Sequence, residues 1–270
     1  MVNDGLITNE EYEESSKTTL TCVGNNPNDD AVNAPYFQDL VLQELKKIPE
    51  ISGKMAGGLK VYTTLNTELY TAINDSIKKR APESDIETAI YAMEPSTGKV
   101  LAVIGGRDYE KSTYNRAISS SRQPGSSIKP FLYLTALENG FTVATTFVSE
   151  PTTFYYNNTT YSPTNFQNIY AGFDVSMAYA LATSDNIYAV KTHLFLGCDK
   201  MVNTLKRFGF SGNIPVIPSL ALGVKEVSVK ELTEAYSILA NSGKQVTPTI
   251  ITKITNICLL YTSPSPRDLS

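Results

Sequence analysis

QPGSSIKPFLYLTALENG, residues 123–140, is the stretch from which the architecture is best read. Behind Ser126, the residues Ile128, Phe131, Leu132, Leu134, Ala136 and Leu137 leave almost no polar face, and Asn139-Gly140 supplies a stop. A helix that is apolar all round belongs in the middle of a fold. Its entry, Gln123-Pro124-Gly125, is turn-forming.

Upstream, residues 59–63 read as a short strand. Asn66 then caps a helix whose entry Leu65 and Tyr70 can staple. Residues 86–93 and 99–104 are apolar, β-branched runs around Glu94-Pro95-Ser96-Thr97-Gly98, which predicts a hairpin with a five-residue turn. Downstream, helices are expected over 176–183 and 186–196, and from behind Asp199. A last helix runs from the capping box Ser228-Val229-Lys230-Glu231 to Asn241-Ser242-Gly243. Strands first and a block of helices after predict an α+β fold with the helices segregated.

The 270 residues, 41% of them hydrophobic, suffice for one large domain or two small ones. A formal net charge of -4 argues against a nucleic-acid protein, which carries a basic face. There is no run of eighteen apolar residues to span a bilayer and no basic-then-apolar leader. Cys22, Cys198 and Cys258 are too dispersed for a disulfide framework or a zinc knuckle. With His193 as the sole histidine, a histidine-based metal site or triad is poorly supplied, so no metal and no cofactor is expected. Chemistry has to run on Ser, Lys, Asn, Asp and Glu.

Residues 1–55 hold a capping-box start (Thr8-Asn9-Glu10-Glu11), an Asn/Asp-rich loop at 24–30, and an amphipathic stretch with Phe37, Leu40, Val41 and Leu45 on one side. They read as a linker trailing from something upstream. After Asn256 the pattern breaks: residues 257–270 have neither helix nor strand period and resemble a translated sequencing adapter, so they are expected to be disordered read-through.

Two Ser-x-x-Lys matches occur, and about one is expected by chance in a chain this long. Ser76-Ile77-Lys78-Lys79 lies on the exposed side of an amphipathic helix and reads as a solvated face. Ser126-Ser127-Ile128-Lys129 instead opens the buried helix, and its two ends are close to one turn apart. A serine hydroxyl needs a base to become a nucleophile. A lysine serves as that base where burial and the positive end of a helix disfavour its ammonium form. Helix-terminal N–H groups could meet an oxyanion, so such a site would do acyl transfer; a capping serine beside a snorkelling lysine is the plain alternative.

Of two Ser-x-Asn matches, Ser211-Gly212-Asn213 reads as turn chemistry. Ser184-Asp185-Asn186 lies between two apolar helical segments, either as an N-cap or as an active-site rim. Thr97-Gly98-Lys99 lacks the first glycine of a phosphate loop and reads as the hairpin turn. The tyrosines around Phe154-Tyr155-Tyr156 read as loop packing, and His193 as structural.

Residues 124–131 followed by Ser184-Asp185-Asn186 resemble the penicillin-recognising serine acyltransferases, a motif pairing known for penicillin-binding proteins and class A β-lactamases. Ala34-Pro35-Tyr36-Phe37, the stretch 57–65, Tyr114-Asn115-Arg116-Ala117 and Leu220-Ala221-Leu222-Gly223 are similar to class A, bifunctional penicillin-binding proteins. The resemblance implies a β-lactamase/D,D-peptidase-like transpeptidase fold over residues 56–256 and a peptidoglycan D,D-transpeptidase activity. Ser126 would attack the D-Ala-D-Ala carbonyl of a stem peptide, Lys129 would be the base, Ser184 would relay a proton to the leaving amine, and Asn186 would hold the substrate amide. Peptidoglycan stem peptides and β-lactam antibiotics would be the partners, with no nucleic acid. A membrane anchor and glycosyltransferase domain would lie upstream, at the extracytoplasmic face of a bacterial cell membrane. The family's Lys-Thr/Ser-Gly strand is not found, so the resemblance also implies a domain truncated before its C-terminal sheet strands and inactive as it stands. Three rivals stay open: a class A β-lactamase, a D,D-carboxypeptidase, and a non-catalytic penicillin-recognising sensor or scaffold. The β-lactamase would need a carboxylate downstream of Ser184, where Glu226, Glu231 and Glu234 fall at a helix start.

Overall fold

The structure, a computed structural model, describes residues 8–17, 32–52, 59–80 and 86–256. The loop at 24–30, the glycines at 57 and 58 and the tail at 257–270 lie outside the described residues. The chain forms two units, residues 1–33 and 34–270. In the first, α1 (Asn9–Lys17) is a polar helix in which Lys17 meets Glu13 one turn back, at 3.3 Å.

The second unit opens with α2 (Pro35–Lys46), which buries Tyr36, Phe37, Leu40, Val41 and Leu45, and the short α3 (Pro49–Ser52). Then come β1 (Leu59–Thr63) and α4 (Thr67–Arg80). The expected cap is present: Asn66 Oδ1 accepts from the Leu69 N–H at 2.9 Å. β2 (Ile90–Met93) and β3 (Val100–Ile104) form the expected antiparallel hairpin, with Ile90 opposite Ile104. Its first strand starts at Ile90 rather than at residue 86. Glu87, the second residue of the expected run, is instead paired with the Arg116 guanidinium at 3.5 Å and the Arg107 N–H at 3.2 Å.

After α5 (Arg116–Ser119) and a 3₁₀ turn (Gly125–Ile128) comes α6 (Lys129–Glu138). Four three-residue strands follow: β4 (Thr146–Val148), β5 (Phe154–Tyr156), β6 (Thr159–Tyr161) and β7 (Asp174–Ser176). Sequence patterning misses them because three residues are too few to show a period of two. β4 pairs with β7, and β5 with β6. Asn157 and Asn158 make the β5–β6 turn with φ of 47° and 61°, which suits a two-residue hairpin turn of the I′ kind.

Then α7 (Met177–Thr183), α8 (Asn186–Leu196), α9 (Cys198–Arg207) and α10 (Val229–Ala240) run nearly as expected. Both halves of the Ser228/Glu231 capping box are made. The chain returns as β8 (Ile251–Asn256), antiparallel to β1, a strand not expected from the sequence. Thr64 ties this end together: its hydroxyl donates to Val100 O at 2.5 Å and lies 3.1 Å from Thr249 O.

The core gathers on α6 and α8, as an all-apolar central helix requires. Phe131, Leu132 and Ala136 of the first, with Ile128 of the turn before it, and Tyr188, Ala189 and Val190 of the second, are buried together with Met201 and Leu205 of α9. Phe131 is its hub, edge-on to Phe208, Phe210 and Tyr236, each with ring centroids 5.3 Å apart. Such pairs add to simple burial. Phe131→Ala is therefore expected to lower stability by about 3–5 kcal/mol, read from urea unfolding, because no neighbouring side chain can collapse into a gap walled by three rings.

Candidate active site

Three segments converge: the 3₁₀ turn that opens α6, the junction of α7 with α8, and the loop before β7. The turn depends on Gly125, whose φ of +57° is a left-handed value that glycine adopts freely. The Ser127 hydroxyl closes it by donating to Pro124 O at 2.6 Å. Ser126 is thus exposed on a 3₁₀ turn, not on the first turn of the α-helix itself. Residues i and i+3 eclipse in a 3₁₀ turn, so Ser126 and Lys129 remain on one side.

A second loop braces the turn from outside. Gly223 (φ +77°) ends the helical turn Pro218–Leu222 and its carbonyl accepts from Gly125 N–H at 3.4 Å. A Cβ at Gly223 would overlap the Gly125 carbonyl oxygen and lie 2.6 Å from the Gly125 nitrogen. The Tyr236 hydroxyl donates to Ser127 O at 2.7 Å, and Arg122 exchanges two backbone hydrogen bonds with Val227. His193, buried in α8, lies with Nε2 3.1 Å from Ile217 O and so helps anchor this loop. Burial pushes its pKa down to about 4, which fits the structural role expected for it.

Lys129 is the first residue of α6 and is 1% exposed. Its Nζ donates to Ser184 O at 2.6 Å, Ser184 Oγ at 3.1 Å and Asn186 Oδ1 at 2.7 Å. Those three bonds use the whole donor capacity of an ammonium. The Ser126 hydroxyl forms no hydrogen bond among the described residues. Burial pushes the Lys129 pKa down from 10.5 to about 8, with the Asp185 carboxylate opposing the shift.

Ser184 meets Lys129 through both its carbonyl and its hydroxyl because it ends α7 in the left-handed region, φ 56° and ψ 41°. A serine there holds about 1–3 kcal/mol of local strain, the kind that persists where surroundings over-determine a site. Asp185 caps α8, accepting from Tyr188 N–H at 2.8 Å. Asn186 is engaged at both ends: Oδ1 accepts from Lys129, and Nδ2 donates to Thr164 O at 2.7 Å, leaving one N–H to spare.

The structure therefore brings Lys129, Ser184 and Asn186 into contact and sets Ser126 at their edge. Ser211 of the other Ser-x-Asn match is held by Glu231, its N–H at 2.6 Å and its hydroxyl at 2.8 Å, and lies in a turn as expected. Asn165, Ser149 and Gly223 contribute to the site without having been singled out for it. Asn165 and Ser149 lie in irregular stretches that no period marks, and Gly223 drew notice only as part of the Leu220-Ala221-Leu222-Gly223 resemblance, not for its contact with Gly125.

The family model for the penicillin-binding protein transpeptidase domain matches residues 88–268. Penicillin-binding protein 2D of Bacillus subtilis is 40% identical over 272 residues, covering 98% of this chain and 39% of that protein. The crystal structure of penicillin-binding protein 1A from Haemophilus influenzae superposes with a TM-score of 0.79 at 21% identity, covering 95% of this chain and 52% of that one. Penicillin-binding protein A from M. tuberculosis, solved as its penicillin G acyl-enzyme complex, gives a TM-score of 0.66 at 22% identity, over 75% of this chain and 57% of that one. The chain thus spans well under half the length of its Bacillus relative.

The ammonium bound in this pocket should be directly observable. Below a pH of about 8, Lys129 is charged in both the folded and unfolded states, and the burial penalty is present in full. As pH rises from about 8 toward 10.5 the folded state loses the proton first, so stability contributed at this site rises over that window. NMR of lysines labelled at the ε-carbon should show one resonance titrating near 8 that disappears in Lys129→Met. Asp185→Asn, which preserves the cap, should move that titration lower, since a carboxylate that favours the charged amine has gone.

Proposed function

The chain belongs to the penicillin-binding protein transpeptidase family, and from that premise we propose that it carries the acyl-transfer site of a serine D,D-transpeptidase. The observation that carries this reading is the buried Lys129 amine, held by Ser184 and Asn186 one turn from the exposed Ser126. No other cluster among the described residues joins a lysine of lowered pKa to a hydroxyl beside an exposed serine.

The reaction uses these groups in sequence. Neutral Lys129 takes the proton of Ser126 as Oγ attacks the penultimate D-Ala carbonyl of a stem peptide, giving a tetrahedral oxyanion. As the C–N bond breaks, the proton returns through the Ser184 hydroxyl to the leaving nitrogen and D-Ala departs. An amine of a second stem then attacks the Ser126 ester and gives its proton back along the same path. The new amide forms and the serine hydroxyl is restored. Asn186 offers its spare N–H to the substrate amide, and it keeps Lys129 directed at Ser184. A β-lactam meets the same serine because its amide presents a comparable carbonyl. The acyl-enzyme complex of the M. tuberculosis protein is that chemistry in a protein of this fold.

Two of the three downstream glutamates that a β-lactamase could use are otherwise engaged, which supports the transpeptidase reading. Glu231 serves the α10 cap and Ser211, and Glu234 meets Lys230 at 3.1 Å and the Tyr91 hydroxyl at 3.1 Å. In the whole protein, a glycosyltransferase domain and membrane anchor precede this domain and place it at the extracytoplasmic face of the cell membrane, where peptidoglycan stems are found. None of the described helices is long and apolar enough to cross a membrane.

Fluorescent penicillin should label the full-length protein at Ser126, and Ser126→Ala should abolish the label; retained labelling in that variant overturns the assignment. The labelling rate should rise with pH, reaching half its maximum near the Lys129 pKa of about 8, because the uncharged amine is the active form. Gly223→Ala should slow labelling by about tenfold or more, since its methyl group displaces the backbone immediately before Ser126.

A further inference from the structure

Asp185, the middle residue of the Ser-Asp-Asn tripeptide, enters the chemistry above only through its field on Lys129, yet its carboxylate is fully bonded and buried. Oδ1 accepts from Tyr188 N–H, and Oδ2 accepts from the Ser149 hydroxyl and from Asn165 Nδ2, the latter at 2.8 Å. The other end of the Asn165 amide does something different. Its Oδ1 accepts from the backbone N–H groups of Asn186 at 2.8 Å and Ile187 at 3.3 Å. Its neighbour Thr164 receives the Asn186 side chain through its carbonyl. One buried side chain therefore grips this segment by the Asp185 carboxylate and by the two successive backbone N–H groups of Asn186 and Ile187.

The anchoring continues outward. Ser149 is fully buried, its N–H donates to Phe173 O at 3.1 Å, and its carbonyl accepts from Gly172 N–H at 2.8 Å. The clasp is thus fastened where the chain leaves β4 and approaches β7. On the far side, the loop passes through Gln167 and Asn168 at φ of 55° and 57°. Two left-handed non-glycine residues in succession need such a fixture beside them.

We infer that Asn165 is a positioning residue for acyl transfer: by bridging the Asp185 carboxylate and the Asn186–Ile187 backbone, it aims the Ser184 hydroxyl and the Asn186 amide at the Lys129 amine. This rests on the reading of Ser126, Lys129 and Ser184 given above and adds the group that sets their mutual geometry. Ser184 is held in a strained backbone conformation, so it needs a fixed neighbour to stay there. Asp185 and Asn186 are that neighbour, and Asn165 is what holds both. A proton relay is sensitive to such a fixture, since a misplacement of about 1 Å can slow a reaction on the order of 100-fold.

The test separates positioning from simple loop stapling. Three variants of the full-length protein serve: Asn165→Leu removes both ends of the bridge, Asn165→Asp keeps the acceptor toward Asn186 and Ile187 but sets a second carboxylate against Asp185, and Ser149→Ala removes the other donor to Asp185, with the longer contacts its hydroxyl accepts from Asn165 and Ala171, while leaving the Asn165 bridge in place. Stopped-flow acylation by nitrocefin, normalised to the amount of titratable Ser126, yields the non-covalent affinity and the acylation rate constant separately; thermal melting is recorded alongside. Asn165→Leu should lower the acylation rate constant by about 100-fold, with affinity within about threefold of the parent. Asn165→Asp should fall by about tenfold or more, and it stands in for the leucine variant if that does not fold. Ser149→Ala should fall by less than either. If the rate constant per titrated site stays within threefold of the parent in the Asn165 variants, whatever happens to melting, Asn165 is a staple and the inference is wrong. If the parent itself fails to acylate at Ser126, the functional reading fails and this one goes with it.

Discussion

A single amine taken out of water organises this site. Lys129 is buried at the start of α6, where an isolated ammonium would be strongly disfavoured, and it is tolerated because Ser184 and Asn186 supply three acceptors in reach. The two tendencies oppose each other and leave the amine near the point where it can both hold and release a proton at neutral to mildly alkaline pH. Everything around it serves to keep those acceptors in place. Removing either partner would strand a buried charge, which is why Ser184 accepts a left-handed backbone that serine ordinarily avoids.

The fold meets that requirement with two rigid supports. One is the aromatic hub of Phe131, Phe208, Phe210 and Tyr236, which locks α6 two residues past Lys129. Tyr236 also donates to Ser127 O, so the same ring system steadies the backbone beside Ser126. The other is the close approach of Gly223 to Gly125, where two glycines let two loops touch through their backbones. Ser126 is thereby exposed on a backbone braced from two sides, and the nucleophilic role proposed for it would need little reorganisation from such a position.

Tertiary anchoring also explains the irregular loop at 162–172. Nothing in its local sequence would order it, yet Asn165, Thr164 and Ser149 turn it into a wall of the site through hydrogen bonds to residues 16 to 22 positions away. Such a wall adds few apolar contacts; its cohesion comes from satisfying buried polar groups that would otherwise be costly.

Local rules were enough wherever the governing interaction was itself local. The Asn66 and Ser228 caps, the β2–β3 hairpin, the all-apolar α6 and the span of α8 were legible because each depends on near neighbours in the chain or on strands joined by one short turn, and the Ser126/Lys129 and Ser184/Asn186 pairs stood out by residue type and setting. What remained hidden depends on partners far along the chain: β8 closing on β1, the four three-residue strands, Gly223 beneath Gly125, and Asn165 bridging Asp185 to the α8 backbone. Periodicity reports which face of an element is apolar, and capping residues report where it begins. Neither carries the direction of a side-chain hydrogen bond across a folded chain, so the meeting of Lys129 with Ser184 and Asn186 exists only once α6 and α8 have packed together.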